Sequence, residues 1–157
     1  MAKIIGLFTC AEAGQPMEAR TEVRALAGSG FFGDRYATNR GTFSRIARQA
    51  ARHVSLIARE GIDEANMRLV ERGMAPFTAT ETRRNIVTEG VDVNSLVGRE
   101  FTIGEVKLRG TEPTRPCNRT SALAKKAGFA EMFVNLGGIR AEVLSDGVIS
   151  VGDIVIP

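Results

Sequence analysis

Histidine is almost missing from this chain: His53 is the only one in 157 residues. A metal site built from several histidines is therefore excluded, and so is catalysis by a histidine pair. A dyad of one cysteine with His53 stays open. Cysteine is nearly as scarce. With only Cys10 and Cys117, a reducing compartment makes two free thiols the expectation rather than one bridge. Tryptophan is absent and there is one tyrosine, which leaves few aromatic platforms for stacking single-stranded bases and argues against nucleic acid. No apolar run approaches the length that crosses a bilayer. The start, MAKIIGLFTC, lacks the charged opening, long apolar centre and cleavage site of a signal peptide. The expectation is a cytoplasmic protein with no membrane partner.

What remains is ordinary globular material: 43% hydrophobic and 25% charged residues. The length suits one domain, 1–157, and no repeat or linker divides it. Net charge is +3, and only four of the 21 basic residues are lysine, leaving 17 arginines. Arginine presents a planar fork that suits phosphate and carboxylate oxygens. Genomic composition would produce the same excess, so the count alone assigns no ligand.

Short strands dominate the patterning. KIIGLF (Lys3 to Phe8) reads as a buried strand. Met17 to Leu26 alternates and reads as one half-buried strand, broken by Gly28 and Gly30. FSRIARQAA is ambiguous and helix-like, and HVSLI (His53 to Ile57) reads as a strand. Ile62, Ala65, Leu69 and Val70 have helical spacing, stopped by Gly73 and Pro76. Arg84 to Thr88 predicts a strand, VNSLVG a turn or single helical turn, and Glu100 to Gly110 two strands that switch parity at Gly104-Glu105. TSALAKKAG predicts a short helix capped by Asn118 or Thr120 and ended by Gly128, and AEMFVNLG a second. Three brief strands close the chain, with Asp146-Gly147 as a hairpin signal. Regular strand–helix alternation is lacking, so the fold class is mainly β: a β-barrel of short strands with a few short helices.

Four places could carry chemistry. Cys117 follows Pro116 at a loop-to-helix junction, between Arg115 and Arg119. That setting favours a reactive thiolate, while a free cysteine is also at home as a small buried hydrophobe. Cys10, on an apolar strand, reads as structural. Gly33-Asp34-Arg35-Tyr36 could bind a polar ligand edge or pair internally. Arg83 and Arg84 enter a strand with Asn85 and should point to opposite faces, one reaching a site and the other solvated. Gly137-Gly138 before Arg140 could form an anion-binding backbone nest or simply stop a helix. No dinucleotide fingerprint is present: Gly28, Gly30 and Gly33 follow a strand but open no helix.

In order, GDRYA, RRNIVTEGVDVNSLVGREFTIGEVKLRGTEPTRPC and GGIRAEVLSDGVISVGD resemble the MOSC domain, the family named for the C-terminal domain of molybdenum cofactor sulfurase. The resemblance runs from about Gly33 to the C-terminus and implies a stand-alone, strand-rich barrel. It implies the molybdenum cofactor, molybdopterin, as ligand, and pyridoxal phosphate has no part in it. Cys117 matches the family's cysteine and would be catalytic, as a molybdenum ligand or a persulfide carrier. Asp34, Arg35, Arg84, Asn85, Arg115 and Arg140 are the expected cofactor-binding residues. Three functions follow: a molybdopterin-binding reductase of N-hydroxylated substrates, a sulfur carrier passing a persulfide from Cys117, or a non-enzymatic binding domain for an anionic ligand. Implied partners are an electron-donor protein or a cysteine desulfurase. Many members carry histidine after Gly-Asp-Arg; here Tyr36 stands there, and a phenol is no base near neutral pH.

Overall fold

The computed structural model describes residues 1–38, 40–41 and 52–157; the helix-like FSRIARQAA stretch lies outside them. Eleven strands are described: β1 (Lys3–Thr9), β2 (Glu18–Arg20), β3 (Glu22–Leu26), β4 (Gly30–Phe31), β5 (Val54–Ala58), β6 (Ile86–Glu89), β7 (Glu100–Ile103), β8 (Val106–Pro113), β9 (Ile139–Val143), β10 (Gly147–Ser150) and β11 (Val155–Ile156). Three short helices join them: α1 (Arg59–Glu71), α2 (Asn118–Ala124) and α3 (Phe129–Met132). The fold is mainly β, as its strand patterning predicts. None of the described helices is long and apolar enough to cross a membrane.

Eight strands form one sheet in the order β11-β7-β8-β9-β5-β6-β1-β2, and β10-β3-β4 form a second. The large sheet curls into a half-barrel. The β11 end reaches β1 through a Lys3–Ile154 bridge and hydrogen bonds from Ile4 N–H to the Asp153 carbonyl and from Val155 N–H to the Ala2 carbonyl. Among the described strands only β5 and β6 run parallel; a parallel pair needs a crossover, which α1 supplies.

Alternation along the strands separates two cores. Ile4, Leu7, Leu56, Ile86, Leu108 and Ile139 fill the inside of the curl. Outward-facing Phe8, Ile57 and Val87 pack beneath Ile62, Ala65 and Leu69 of α1 and the aromatic trio Phe77, Phe129 and Phe133. Phe129 and Phe133 stack at 4.2 Å between ring centres, and Phe77 meets Phe129 edge-on at 5.2 Å. α1 ends as its sequence dictates: Gly73 takes φ 70°. Asn66 then pins the next segment by accepting from Phe77 N–H and donating to its carbonyl, both at 2.8 Å.

Three local expectations are corrected. Met17 to Leu26 is two strands, β2 on β1 and β3 on β10. The alternation survives because Met17 and Val23 are both buried, in different cores. Asp146-Gly147 makes no β9–β10 hairpin, because β10 leaves for β3, pairing Ile149 with Val23. Gly128 does not end α2. Lys125 does so in the left-handed region (φ 56°), Cys117 occupies the N-cap position, and Gly128 (φ 97°) opens α3.

Candidate functional site: an arginine pocket beside Cys117

Where β8 ends and β9 begins, the Thr114-to-Cys117 loop crosses over Gly137 and Gly138. The crossing requires glycine. A Cβ on Gly137 would stand 2.7 Å from the Thr114 carbonyl and one on Gly138 would collide with the Leu56 carbonyl. In return Thr114 N–H donates to the Gly138 carbonyl at 2.9 Å. The glycine pair thus serves a close backbone approach. It leaves Cys117 exposed at the start of α2, with no protein hydrogen bond from its sulfur among the described residues.

The floor is a saturated polar layer under the pocket. Asp34 is fully buried. Its Oδ1 accepts from Cys10 N–H at 3.0 Å, Arg35 Nη1 at 3.2 Å and Asn85 Nδ2 at 3.3 Å, and its Oδ2 from Tyr36 N–H at 3.2 Å. Asn85 also donates to the Phe8 carbonyl and accepts from Ser55 N–H. The layer is buried and hydrogen-bonded throughout, as buried polar groups must be. It sets where Arg35, Tyr36 and Ser55 stand.

Above the floor the walls are arginine. Arg35, Arg83, Arg84, Arg115, Arg119 and Arg140 line a small open cavity of about 60 Å³, and among the described residues no aspartate or glutamate joins them. Arg84 donates Nε to the Gly137 carbonyl at 2.8 Å and Nη1 to the Thr82 carbonyl at 3.1 Å. Its Nη2 has no hydrogen-bond partner among the described residues. Burial, then the charge of Arg140, push Arg84 down to about 9, while Cys117 and Tyr36 support its charge. Burial lowers Arg140 as well, opposed in part by Tyr36, electrostatically and through a hydrogen bond. The Tyr36 ring lies against both Arg35 (4.9 Å) and Arg140 (5.6 Å). Thr114 Oγ1 is buried with no partner among the described residues. Such a site holds more positive charge than it can pair internally, and an anion would relieve it.

Of the residues singled out in the sequence, Arg35, Arg84, Arg115, Cys117 and Arg140 come together around the cavity, while Asp34 and Asn85 lie beneath it. Arg83 and Arg84 do not diverge. Arg83 sits in the left-handed region (φ 63°) after a 3-10 turn at Thr80–Thr82, before β6 begins, so both guanidiniums reach the pocket. Arg119, Ser55 and Thr120 also line it; the flanking Arg115-x-Cys117-x-Arg119 spacing was the available signal for Arg119. His53 does not line the pocket. Its Nδ1 accepts from Val143 N–H at 3.0 Å, and burial lowers its proton affinity, with Glu142 opposing. Cys10 is buried, with its sulfur donating to the Glu12 carbonyl.

Arg84 would set a pH limit on any anion bound here. Below about pH 9 its guanidinium is charged in the folded protein; above that the pocket loses a buried cation. Stability runs oppositely. With the folded value below the unfolded one, the buried charge destabilises the fold below about pH 9, and the cost fades as pH rises beyond it. Sulfate should therefore raise the melting temperature of the Cys117→Ser protein by several degrees at neutral pH and by little on the alkaline side. Equal stabilisation on both sides would sink this assignment.

In fold, the chain is similar to the YuaD protein from Bacillus subtilis, with a TM-score of 0.75, 17% identity, and 99% of this chain and 94% of that one covered. YiiM from Geobacillus stearothermophilus gives a TM-score of 0.71 at 15% identity, covering 99% and 74%. YiiM from Escherichia coli gives 0.69 at 19%, covering 99% and 69%. A sequence search of curated proteins gives no match. The MOSC domain model matches residues 32–156, a span that carries the buried Asp34, the arginine walls and Cys117. By that match over most of its length, the chain belongs to the MOSC domain family.

Proposed function

We propose that the arginine pocket binds the molybdenum cofactor and that the protein is a molybdopterin-dependent reductase of N-hydroxylated substrates. The observation behind this reading is the pocket's composition: six guanidiniums, no carboxylate and one exposed thiol. The residues present suit such a group. Among the described residues Arg84 Nη2 and the buried Thr114 hydroxyl have no partners, and they could meet phosphate and pterin oxygens. Among the described residues no group of three or more His, Cys, Asp and Glu could hold a metal ion, so the metal would arrive with its own ligands. A soft thiolate is a fitting addition to a sulfur-rich centre.

When bound, the cofactor supplies a redox-active metal, with electrons delivered by a partner protein. The chain's own residues do the rest. Arg84, Arg140 and Arg35 bind and neutralise the anionic groups. Arg115 and Arg119 flank the mouth, and Cys117 presents its sulfur between them. Asp34 and Asn85 act from beneath by fixing Arg35, Tyr36 and Ser55. Tyr36 offers a phenolic hydroxyl held by Arg140 where many relatives have histidine. Protein purified from molybdate-replete cells should contain molybdenum and pterin, and Cys117→Ser should keep pterin while losing most of the metal. Absence of both from the unaltered protein, with no uptake on reconstitution, overturns the reading.

A second reading is that Cys117 carries sulfur as a persulfide. What favours it is accessibility: the thiol is exposed and makes no hydrogen bond among the described residues, so a donor can reach it. Incubation with a cysteine desulfurase and cysteine should add one sulfur at Cys117 and none to Cys117→Ser.

A further inference from the structure

We propose that the pocket is a sulfurtransferase site whose direct donor is a small sulfane-sulfur oxyanion of the thiosulfate class. The inference rests on the sulfur-carrier reading and goes beyond it by naming the donor chemistry. Cys117 is exposed, but the cavity beside it is not built for a neutral or cationic molecule: every charged residue lining it is an arginine. Arg84 is the second observation. Its side chain is only 8% exposed, it has no carboxylate partner among the described residues, and its Nη2 makes no hydrogen bond to them. Arg84 and Cys117 act on each other electrostatically, so the anion subsite and the sulfur nucleophile belong to one pocket. A sulfonate head presents oxygens that match guanidinium forks, and a thiosulfate places its sulfane sulfur one bond away from that head.

The transfer balances without an outside oxidant. The Cys117 thiolate attacks the sulfane sulfur of thiosulfate, forming a new S–S bond. The bond between the sulfane sulfur and the sulfonate breaks, its electron pair leaving with sulfite. The cysteine sulfur is oxidised at the expense of the sulfonate sulfur. Three negative charges enter and three leave as persulfide and sulfite dianion, all facing the arginines. A thiophilic acceptor then attacks the outer sulfur and restores the thiolate; with cyanide the product is thiocyanate.

The test uses the intact chain with thiosulfate, followed by peptide mass spectrometry, sulfite assay and thiocyanate formation on adding cyanide. Cys117 should gain the mass of one sulfur with matching sulfite release, and turnover to thiocyanate should follow. Cys117→Ser should show neither, and Arg119→Ala, altered only at an exposed side chain, should be slower by about tenfold through weakened anion attraction. Sulfate should compete. If iodoacetamide alkylates Cys117 but thiosulfate adds no sulfur while a desulfurase does, the donor assignment falls and the carrier reading stands. If neither donor loads an alkylatable Cys117, both fall. Equal thiocyanate formation by Cys117→Ser also overturns the proposal.

Discussion

Asp34→Ala should lower stability by about 3–5 kcal/mol, because it strands a buried guanidinium and three further donors at once. For a chain of this size that corresponds to a melting temperature lower by roughly 10 °C or more. The carboxylate is fully buried and gathers donors from three stretches of chain: Cys10, Arg35-Tyr36 and Asn85. Asp34→Asn is the informative companion, since an amide must turn one N–H₂ toward donors already in place. Differential scanning calorimetry reads both variants. A shift within a couple of degrees for Asp34→Ala would falsify the view that this carboxylate fastens the pocket floor.

Gly138→Ala should be as damaging for a different reason. Gly138 has φ 89°, and the new methyl would meet the Leu56 carbonyl. Leu56 is paired with Ile139 in the β5–β9 ladder, so neither backbone can retreat without opening the centre of the sheet. Strain and overlap together should cost about 3–5 kcal/mol. Gly73→Ala is the control: its φ is 70° but nothing lies within 4 Å of the added carbon, so only about 1 kcal/mol of backbone strain is expected. Comparable denaturation midpoints for the two variants would remove the steric half of the argument.

Local signals found most elements because local chemistry forms them. Glycine at Gly104 does mark the turn between β7 and β8, and helical spacing of Ile62, Ala65 and Leu69 does mark the buried face of α1. What short-range patterning could not hold is partner choice. β10 pairs with β3, more than a hundred positions away in sequence, so an Asp-Gly signal pointed to the wrong neighbour. The site divided similarly. Arg35, Arg84, Arg115, Cys117 and Arg140 were legible as residues worth noticing. Their convergence depends on a left-handed turn at Arg83 and on the glycine-permitted crossing over Gly137, neither of which any spacing rule encodes. Asp34 and Asn85 were noticed too, but only burial reveals that their polar atoms are already committed to the protein.

The ring of Tyr36, set against Arg35 and Arg140 on the pocket wall, has an optical consequence. It is the chain's one tyrosine and there is no tryptophan, so all ultraviolet emission beyond phenylalanine's originates at the pocket. A ligand that draws Arg140 away from the phenol, or quenches the ring by contact, must change that emission directly. The protein carries its own single fluorophore at the place where occupancy matters, and binding there can be followed without a label.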